Sequence, residues 1–291
     1  MKIVFMGTPD FAVQSLNALL GAGHEIAAVY TRTDKARGRG KKVTFSPMKE
    51  LALKHDIPVE QPLTFRGDDG EAEVAKLHGY NPDCIIVAAY GMILPVSVLN
   101  IPRYGCINVH ASLLPQYRGA APINRCIMEG QAQSGVTIMQ MNEGLDTGDM
   151  LASESVDIPR DMTASQLHDV LADVGGRLLV GALGRIDSLV PVKQDDSLAT
   201  YADKITKSEC EIDFARSARG ICDFIRGLAD YPCAWTHYEG VRIKVYKAIA
   251  GADESAGVVM HHSHGEAVTL TEVQPEGGKR MNASDFLRGL K

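Results

Sequence analysis

A chain of 291 residues, 45% hydrophobic and 23% charged, can bury a sizeable core and is expected to form two domains. That composition excludes a disordered or fibrous protein. A formal net charge of −6 argues against a nucleic-acid partner held by overall charge, so any such contact would have to be local.

Residues 2–6 are a short apolar run ending at Gly7, too short for a secretory leader and without a small-residue cleavage site. No run of about eighteen apolar residues follows, so no membrane-spanning helix is expected and the cytoplasm is the default location. Thr8-Pro9-Asp10 opens a helical pattern through Leu20, with Thr8 placed to cap it and Pro9 at its first position. Gly21 and Gly23 end that helix, and 26–30 reads as the next strand. A strand–helix–strand opening implies a parallel sheet. A dinucleotide site would carry its glycine fingerprint here, and Gly-Thr-Pro-Asp-Phe-Ala lacks it, so NAD is disfavoured.

Between residues 31 and 49, Arg32, Lys35, Arg37, Arg39, Lys41, Lys42 and Lys49 face a single acid, Asp34. A long cationic Gly-Arg-Gly-Lys-Lys loop is either ordinary solvated surface or a contact for RNA phosphates, and the stretch alone leaves both open. A helix is expected over 46–55, a brief strand over 59–62 and a helix over 68–78. Residues 83–89 are an apolar strand of the kind buried on both faces. Tyr90 and Gly91 then fall at its C-terminal end, where ligands bind in open α/β sheets. The next strand, 105–109, leads Asn108 and His110 to the same edge. Helix 122–129, strand 135–141, a Gly144-Leu145-Asp146-Thr147-Gly148 loop, strand 150–156 and a long helix over 163–189 complete a first domain of residues 1–188. Residues 189–206 lack periodicity and read as a linker. From 207 to 291, one helix (215–228) precedes short strand-like runs at 234–238, 241–250, 256–260 and 267–272, with turns at Gly240, Gly251 and Gly265. The predicted fold is α/β: a Rossmann-like, mostly parallel sheet with helices on both faces, then a smaller OB-like β-barrel.

Asn108 and His110 are two apart, so on an extended segment they share a face. An amide donor beside an imidazole at a strand end can stabilise a developing oxyanion and move a proton. About thirty-six residues later Asp146, between two glycines, can fold back to give the imidazole a carboxylate. An isolated histidine is more often a satisfied core residue, and spacing alone does not decide. The six cysteines (84, 106, 126, 210, 222, 233) include no Cys-x-x-Cys pair, and the His261-His262-Ser263-His264 cluster sits in a polar loop, so neither a metal site nor a disulfide framework is expected.

Several motifs together resemble the methionyl-tRNA formyltransferase family of folate-dependent formyltransferases. These are Val-Phe-Met-Gly-Thr-Pro-Asp-Phe-Ala, the Gly-Arg-Gly-Lys-Lys loop, Asn-x-His-x-Ser-Leu-Leu-Pro followed by Arg-Gly-Ala-Ala-Pro-Ile, Gly-Leu-Asp-Thr-Gly-Asp, and Ser-Leu-Ala-Thr-Tyr-Ala-x-Lys-Ile. The resemblance runs nearly end to end. It implies formyl transfer from the co-substrate 10-formyltetrahydrofolate to the amino group of methionyl initiator tRNA, without metal, by a monomer not bound to membrane. Asn108 would donate to the oxyanion, His110 would stabilise it as a cation and help move the proton, and Asp146 would orient His110. Ser112, Leu113, Leu114 and Pro115 resemble the folate-binding turn, with the pterin against Val87, Tyr90 and Gly91 and the Asp146 loop. Arg39 would lead the tRNA contacts, supported by Lys41 and Lys42, with Lys204, Lys207, Lys244, Lys279 and Arg280 as secondary candidates. Two departures stand out: 251–272 is shorter than the family's barrel, and Ala229-Asp230-Tyr231-Pro232 replaces a corner richer in proline and tryptophan. The alternatives are a formyltransferase for a small amine, such as glycinamide ribonucleotide or an amino-sugar nucleotide, and a non-catalytic RNA-binding protein on the same fold.

Overall fold

The computed structural model describes residues 1–37, 42–261 and 265–290. Strand β1 (Lys2–Gly7), helix α1 (Asp10–Gly21) and strand β2 (Glu25–Tyr30) form the expected opening unit, with β1 and β2 parallel, Ile3 opposite Ile26 and, after a register shift, Val4 opposite Ala28. Thr8 does not cap α1, contrary to the sequence expectation. Pro9 holds the cap position without a side-chain bond. The Thr8 hydroxyl instead donates to the Tyr90 carbonyl and accepts from the Arg32 amide, each at 3.3 Å. It thereby ties together the ends of three strands, a tertiary use that outcompetes the local cap.

The basic stretch forms a short antiparallel hairpin, β3 (Lys35–Arg37) against β4 (Lys42–Thr44), with Arg37 opposite Lys42. Arg39 and Lys41 lie outside the described residues. Helix α2 (Pro47–Lys54) starts as predicted, Ser46 accepting from the Lys49 amide at 3.1 Å. Next come β5 (Val59–Glu60), α3 (Gly67–Gly79), β6 (Cys84–Ala88), a short α4 (Val96–Leu99) that the sequence reading lacks, and β7 (Cys106–His110). After α5 (Pro122–Met128) come β8 (Gln133–Gln140), β9 (Met150–Asp157) and α6 (Ala164–Leu183). The sheet order is β5-β2-β1-β6-β7-β8-β9. Its first five strands are parallel, and β8 runs antiparallel to β7. Strands β1, β6 and β7 are buried almost throughout; β1 and β6 are accordingly apolar runs rather than alternating ones, while β7 buries the polar Asn108 and His110.

Contacts divide the chain into two compact units. One comprises 1–118, 135–155 and 169–200, the other 119–134, 156–168 and 201–291. Two excursions from the expected first domain thus group with the C-terminal unit: α5 packs on α7 (Ala218–Leu228), where Gly227 admits Met128 and its carbonyl accepts from Asn124. Strands β10 (Ala234–Tyr238), β11 (Val241–Ala250), β12 (Val258–His261), β13 (Ala267–Pro275) and β14 (Met281–Asn282) follow, then α8 (Ala283–Gly289), a terminal helix absent from the sequence reading. The strands form an antiparallel sheet ordered β10-β11-β13-β12, with β14 added on β13. The expected barrel takes the form of this curled half-barrel. Register shifts between Val245 and Ala248 bend β11, as bulges do. Its core gathers Ile221, Phe224, Leu228, Val245, Leu270 and Phe286. The stretch 251–272 supplies β12 and much of β13.

Candidate active site

Strand β7 carries Asn108 and His110 into the middle of the sheet, 8% and 6% exposed. Asn108 pairs with Val87 of β6 on one side and Met139 of β8 on the other, and His110 lies opposite Thr137. Both neighbours are themselves buried, so the two polar side chains are held in a low-dielectric frame.

Immediately after β7 the chain turns back on itself. Thr137 Oγ1 donates to the Ser112 carbonyl at 2.7 Å and accepts from the Leu114 amide at 3.1 Å, while Ser112 Oγ donates to the Gln116 carbonyl at 2.6 Å. The turn ends at Tyr117, in the left-handed region at φ 58°, whose carbonyl lies 3.0 Å from His110 Nε2. A carbonyl only accepts, so Nε2 carries a proton and Nδ1 is the nitrogen that faces the site.

Asp146 reaches that nitrogen from the loop between β8 and β9. Asn142 Oδ1 accepts from the Gly144 amide at 3.0 Å and from Thr147 Oγ1 at 2.8 Å, curling the loop tightly. A Cβ at Gly148 would stand 1.7 Å from the Gln140 carbonyl oxygen, so only glycine permits this close approach. Asp146 itself sits at φ 52°. Its Oδ2 lies 3.6 Å from His110 Nδ1, and its Oδ1 accepts from Asn108 Nδ2 at 3.5 Å. The first is an ion-pair separation rather than a hydrogen bond, and the second is at the hydrogen-bond limit. Protonating the ring turns a lone pair facing a carboxylate into an ion pair. With the ring protonated, the arrangement gives two N–H donors and one carboxylate around a common point, as stabilisation of a carbonyl oxygen with concurrent proton movement requires.

The structure thus brings Asn108, His110 and Asp146 together. Val87 adjoins Asn108 in register. Tyr90 is buried with its hydroxyl unpartnered among the described residues, and burial pushes its phenol well above the ordinary range. Gly91 is exposed at φ 73°. Ser112 and Leu114 are buried, whereas Leu113 and Pro115 are half-buried. A cavity of about 830 Å³ opens beside the Asp146 loop, lined by Leu99, Tyr104, Met141, Asn142, Gly144 and Leu189 among others. Of the folate contacts expected, only the Asp146 loop borders it, through Gly144; Val87, Tyr90, Gly91 and residues 112–115 do not. Arg39 and Lys41 lie outside the described residues, and Lys42 falls in β4. No three metal-ligating side chains gather among the described residues.

Sequence reasoning missed Gln194, which the expected linker delivers to this site. Its Nε2 donates to the carbonyls of Asp146 and Gly148 at 2.8 and 2.7 Å, and its Oε1 accepts from Arg118 Nε and Nη2 at 3.0 and 2.8 Å. A glutamine between Lys193 and Asp195 gives no one-dimensional signal of burial, although Gln194 is 5% exposed.

The family model described as formyl transferase matches residues 1–183, and its C-terminal-domain counterpart matches 204–291. Methionyl-tRNA formyltransferase of Lachnospira eligens is 46% identical, covering 99% of this chain and 96% of its own length. The enzyme of that name from Chromobacterium violaceum is also 46% identical, with the same two coverages. Among solved structures, HypX of Aquifex aeolicus in complex with tetrahydrofolic acid aligns with a TM-score of 0.68 at 17% identity, over 99% of this chain and 47% of its own. An N-formyltransferase of Helicobacter canadensis, in complex with folinic acid and dTDP-3-aminofucose, aligns at 0.66 and 18%, over 93% and 98%. At those identities the likeness is one of fold.

Proposed function

The chain belongs to the formyl transferase family, and we propose that it moves the formyl group of 10-formyltetrahydrofolate to the amino group of methionyl initiator tRNA. The observation that carries this reading is the convergence of Asn108, His110 and Asp146 on one point, in a chain nearly half identical to enzymes of that name over its whole length.

Bound, the co-substrate supplies an activated formyl carbonyl. Asn108 Nδ2 and a protonated His110 Nδ1 are the donors available to the oxygen as negative charge gathers on it. The Tyr117 carbonyl holds the ring so that Nδ1, not Nε2, points to the site. Asp146 orients that ring, the proton lost by the attacking amine has the Asp146 carboxylate to pass to, and the folate nitrogen takes up a proton as its bond to the formyl carbon breaks. The left-handed backbone at Ala89 and Gly91, at the C-terminal end of β6, offers main-chain groups suited to a planar heterocycle such as the pterin. Ser112–Pro115 would complete the folate wall, and Arg39, Lys41 and Lys42 would meet tRNA phosphates.

The test is direct: incubate the protein with 10-formyltetrahydrofolate and methionyl initiator tRNA and look for formylmethionyl-tRNA. Turnover on glycinamide ribonucleotide or an amino-sugar nucleotide, with none on charged tRNA, would overturn the acceptor. Tight tRNA binding without any formyl transfer would overturn the enzyme.

A further inference from the structure

We infer that Gln194 is a positioning residue for the Asp146 carboxylate, backed by Arg118, so that the 194–200 segment sets the geometry between Asp146 and His110. The inference rests on the proposed reaction only for what that geometry is used for.

Gln194 spends its whole hydrogen-bonding capacity at one place. Two N–H bonds go to the carbonyls of Asp146 and Gly148, and the amide oxygen takes two bonds from Arg118. Because carbonyls only accept and guanidinium only donates, the amide has a single orientation in which all four bonds form. The bond to the Asp146 carbonyl fixes the backbone of the carboxylate-bearing residue itself, which is held in the left-handed region. Arg118 is 2% exposed and is further paired to Asp196 Oδ1 at 2.7 Å.

The same segment grips the imidazole's support. Thr200 Oγ1 accepts from the Tyr117 amide at 2.9 Å, and the Thr200 carbonyl accepts from the Arg118 amide at 2.9 Å. Tyr117 is the residue whose carbonyl receives His110 Nε2–H. One stretch of chain therefore holds the carboxylate through Gln194 and the ring through Thr200. The His110–Asp146 separation of 3.6 Å depends on both grips, and this stretch lies outside both matched family segments, 1–183 and 204–291. A displacement of about 1 Å in a reacting constellation can cost roughly 10²-fold in rate.

Gln194→Glu is the informative variant. It keeps an acceptor for Arg118 but removes both donors to the loop carbonyls. The expected result is a fall in kcat of roughly 10- to 100-fold with KM for 10-formyltetrahydrofolate and for methionyl-tRNA nearly unchanged. Unchanged kcat in the folded variant overturns the proposal, as does a rise in either KM with kcat intact. A ¹⁵N NMR spectrum of the His110 ring at fixed pH reads the same geometry without turnover: the Nδ1 resonance should move in Gln194→Glu as the carboxylate 3.6 Å away is displaced. An unmoved Nδ1 resonance overturns the proposal even if wild-type protein proved inactive on charged tRNA, a result that would refute the acceptor alone. Should Gln194→Glu fail to fold, Thr200→Val at an exposed position removes the grip on Tyr117, and wild-type kcat with an unmoved His110 Nδ1 resonance there overturns the proposal equally.

Discussion

Asn108 and His110 arrive on one strand, whereas Asp146 arrives on a loop, and their losses should differ accordingly. Asn108 supplies a single neutral donor, so Asn108→Ala is expected to lower kcat by about 10²–10³ while the protein stays folded. His110→Ala removes a donor and a proton carrier together and should cost more. Purified variants compared by kcat and thermal midpoint check both, and near-normal turnover in either removes that residue from the mechanism. Gly148 tests the loop rather than the chemistry. A methyl group there meets a backbone oxygen at 1.7 Å, so Gly148→Ala must push the 146–148 segment away from Gln140. The expected outcome is a destabilisation of roughly 1–3 kcal/mol together with lost turnover; a stable variant that turns over normally would show that the loop tolerates displacement. At this scale the sequence was informative where side-chain type and period carry meaning. A period of two puts Asn108 and His110 on one face and flanking glycines mark the Asp146 loop, while the family resemblance is what singled the three out as a set. The Tyr117 carbonyl, a backbone group, leaves no trace in residue type, and Gln194 reads as solvated linker until the fold buries it.

Strand–helix alternation was legible across the first unit because each strand is an apolar run bounded by turn residues, and nearly every predicted element has its counterpart. The short pieces escaped. Helix α4 is four residues and has too little periodicity to register, and α8 follows β14 after only strand-like signals. Thr8 shows why a cap reading can fail: the same hydroxyl had partners on Tyr90 and Arg32 that only the assembled sheet brings near. The base of the basic hairpin is likewise tertiary. Lys49 donates to Asp34 at 2.5 Å and to Gln61 at 2.9 Å, while Gln61 donates to the Arg32 carbonyl and to Asp34. The hydrogen bond from Lys49, opposed by partial burial and aided by Gln61, holds the Asp34 carboxyl below its usual range. A depressed folded value means that the stabilisation is present above the unfolded carboxylate pKa of about 3.9 and fades as pH falls through the folded one. Asp34→Asn should therefore be less stable than wild type near neutrality and converge with it below about pH 4, read by denaturant midpoints across pH. A constant difference down to the most acid conditions would assign the effect to packing instead.

For the whole molecule, charge and architecture pull apart in a way that bears on the acceptor. The chain is net acidic at −6, yet the segment from residue 31 to 49 carries seven basic side chains and one acid. Near physiological salt the Debye length is about 8 Å, so a phosphate approaching that segment is largely screened from acidic surface farther off. Local cations can then set the interaction, and their number sets its salt dependence. Each neutralised phosphate contributes a slope of roughly −0.7 to −0.9 in log affinity against log salt. If Arg39, Lys41 and Lys42 supply most of the phosphate contacts, methionyl-tRNA affinity should fall with a slope of roughly −2 to −3. Replacing all three by alanine should remove most of that slope and raise KM for the tRNA, while KM for 10-formyltetrahydrofolate stays nearly constant with salt and with substitution. Binding titrations at several salt concentrations, paired with steady-state kinetics in each co-substrate, measure all of this. A slope unaltered by the triple substitution would move the tRNA contacts elsewhere, the C-terminal Lys204, Lys207, Lys244, Lys279 and Arg280 being the next to replace. A rise in the folate KM alone would instead put the hairpin at the co-substrate.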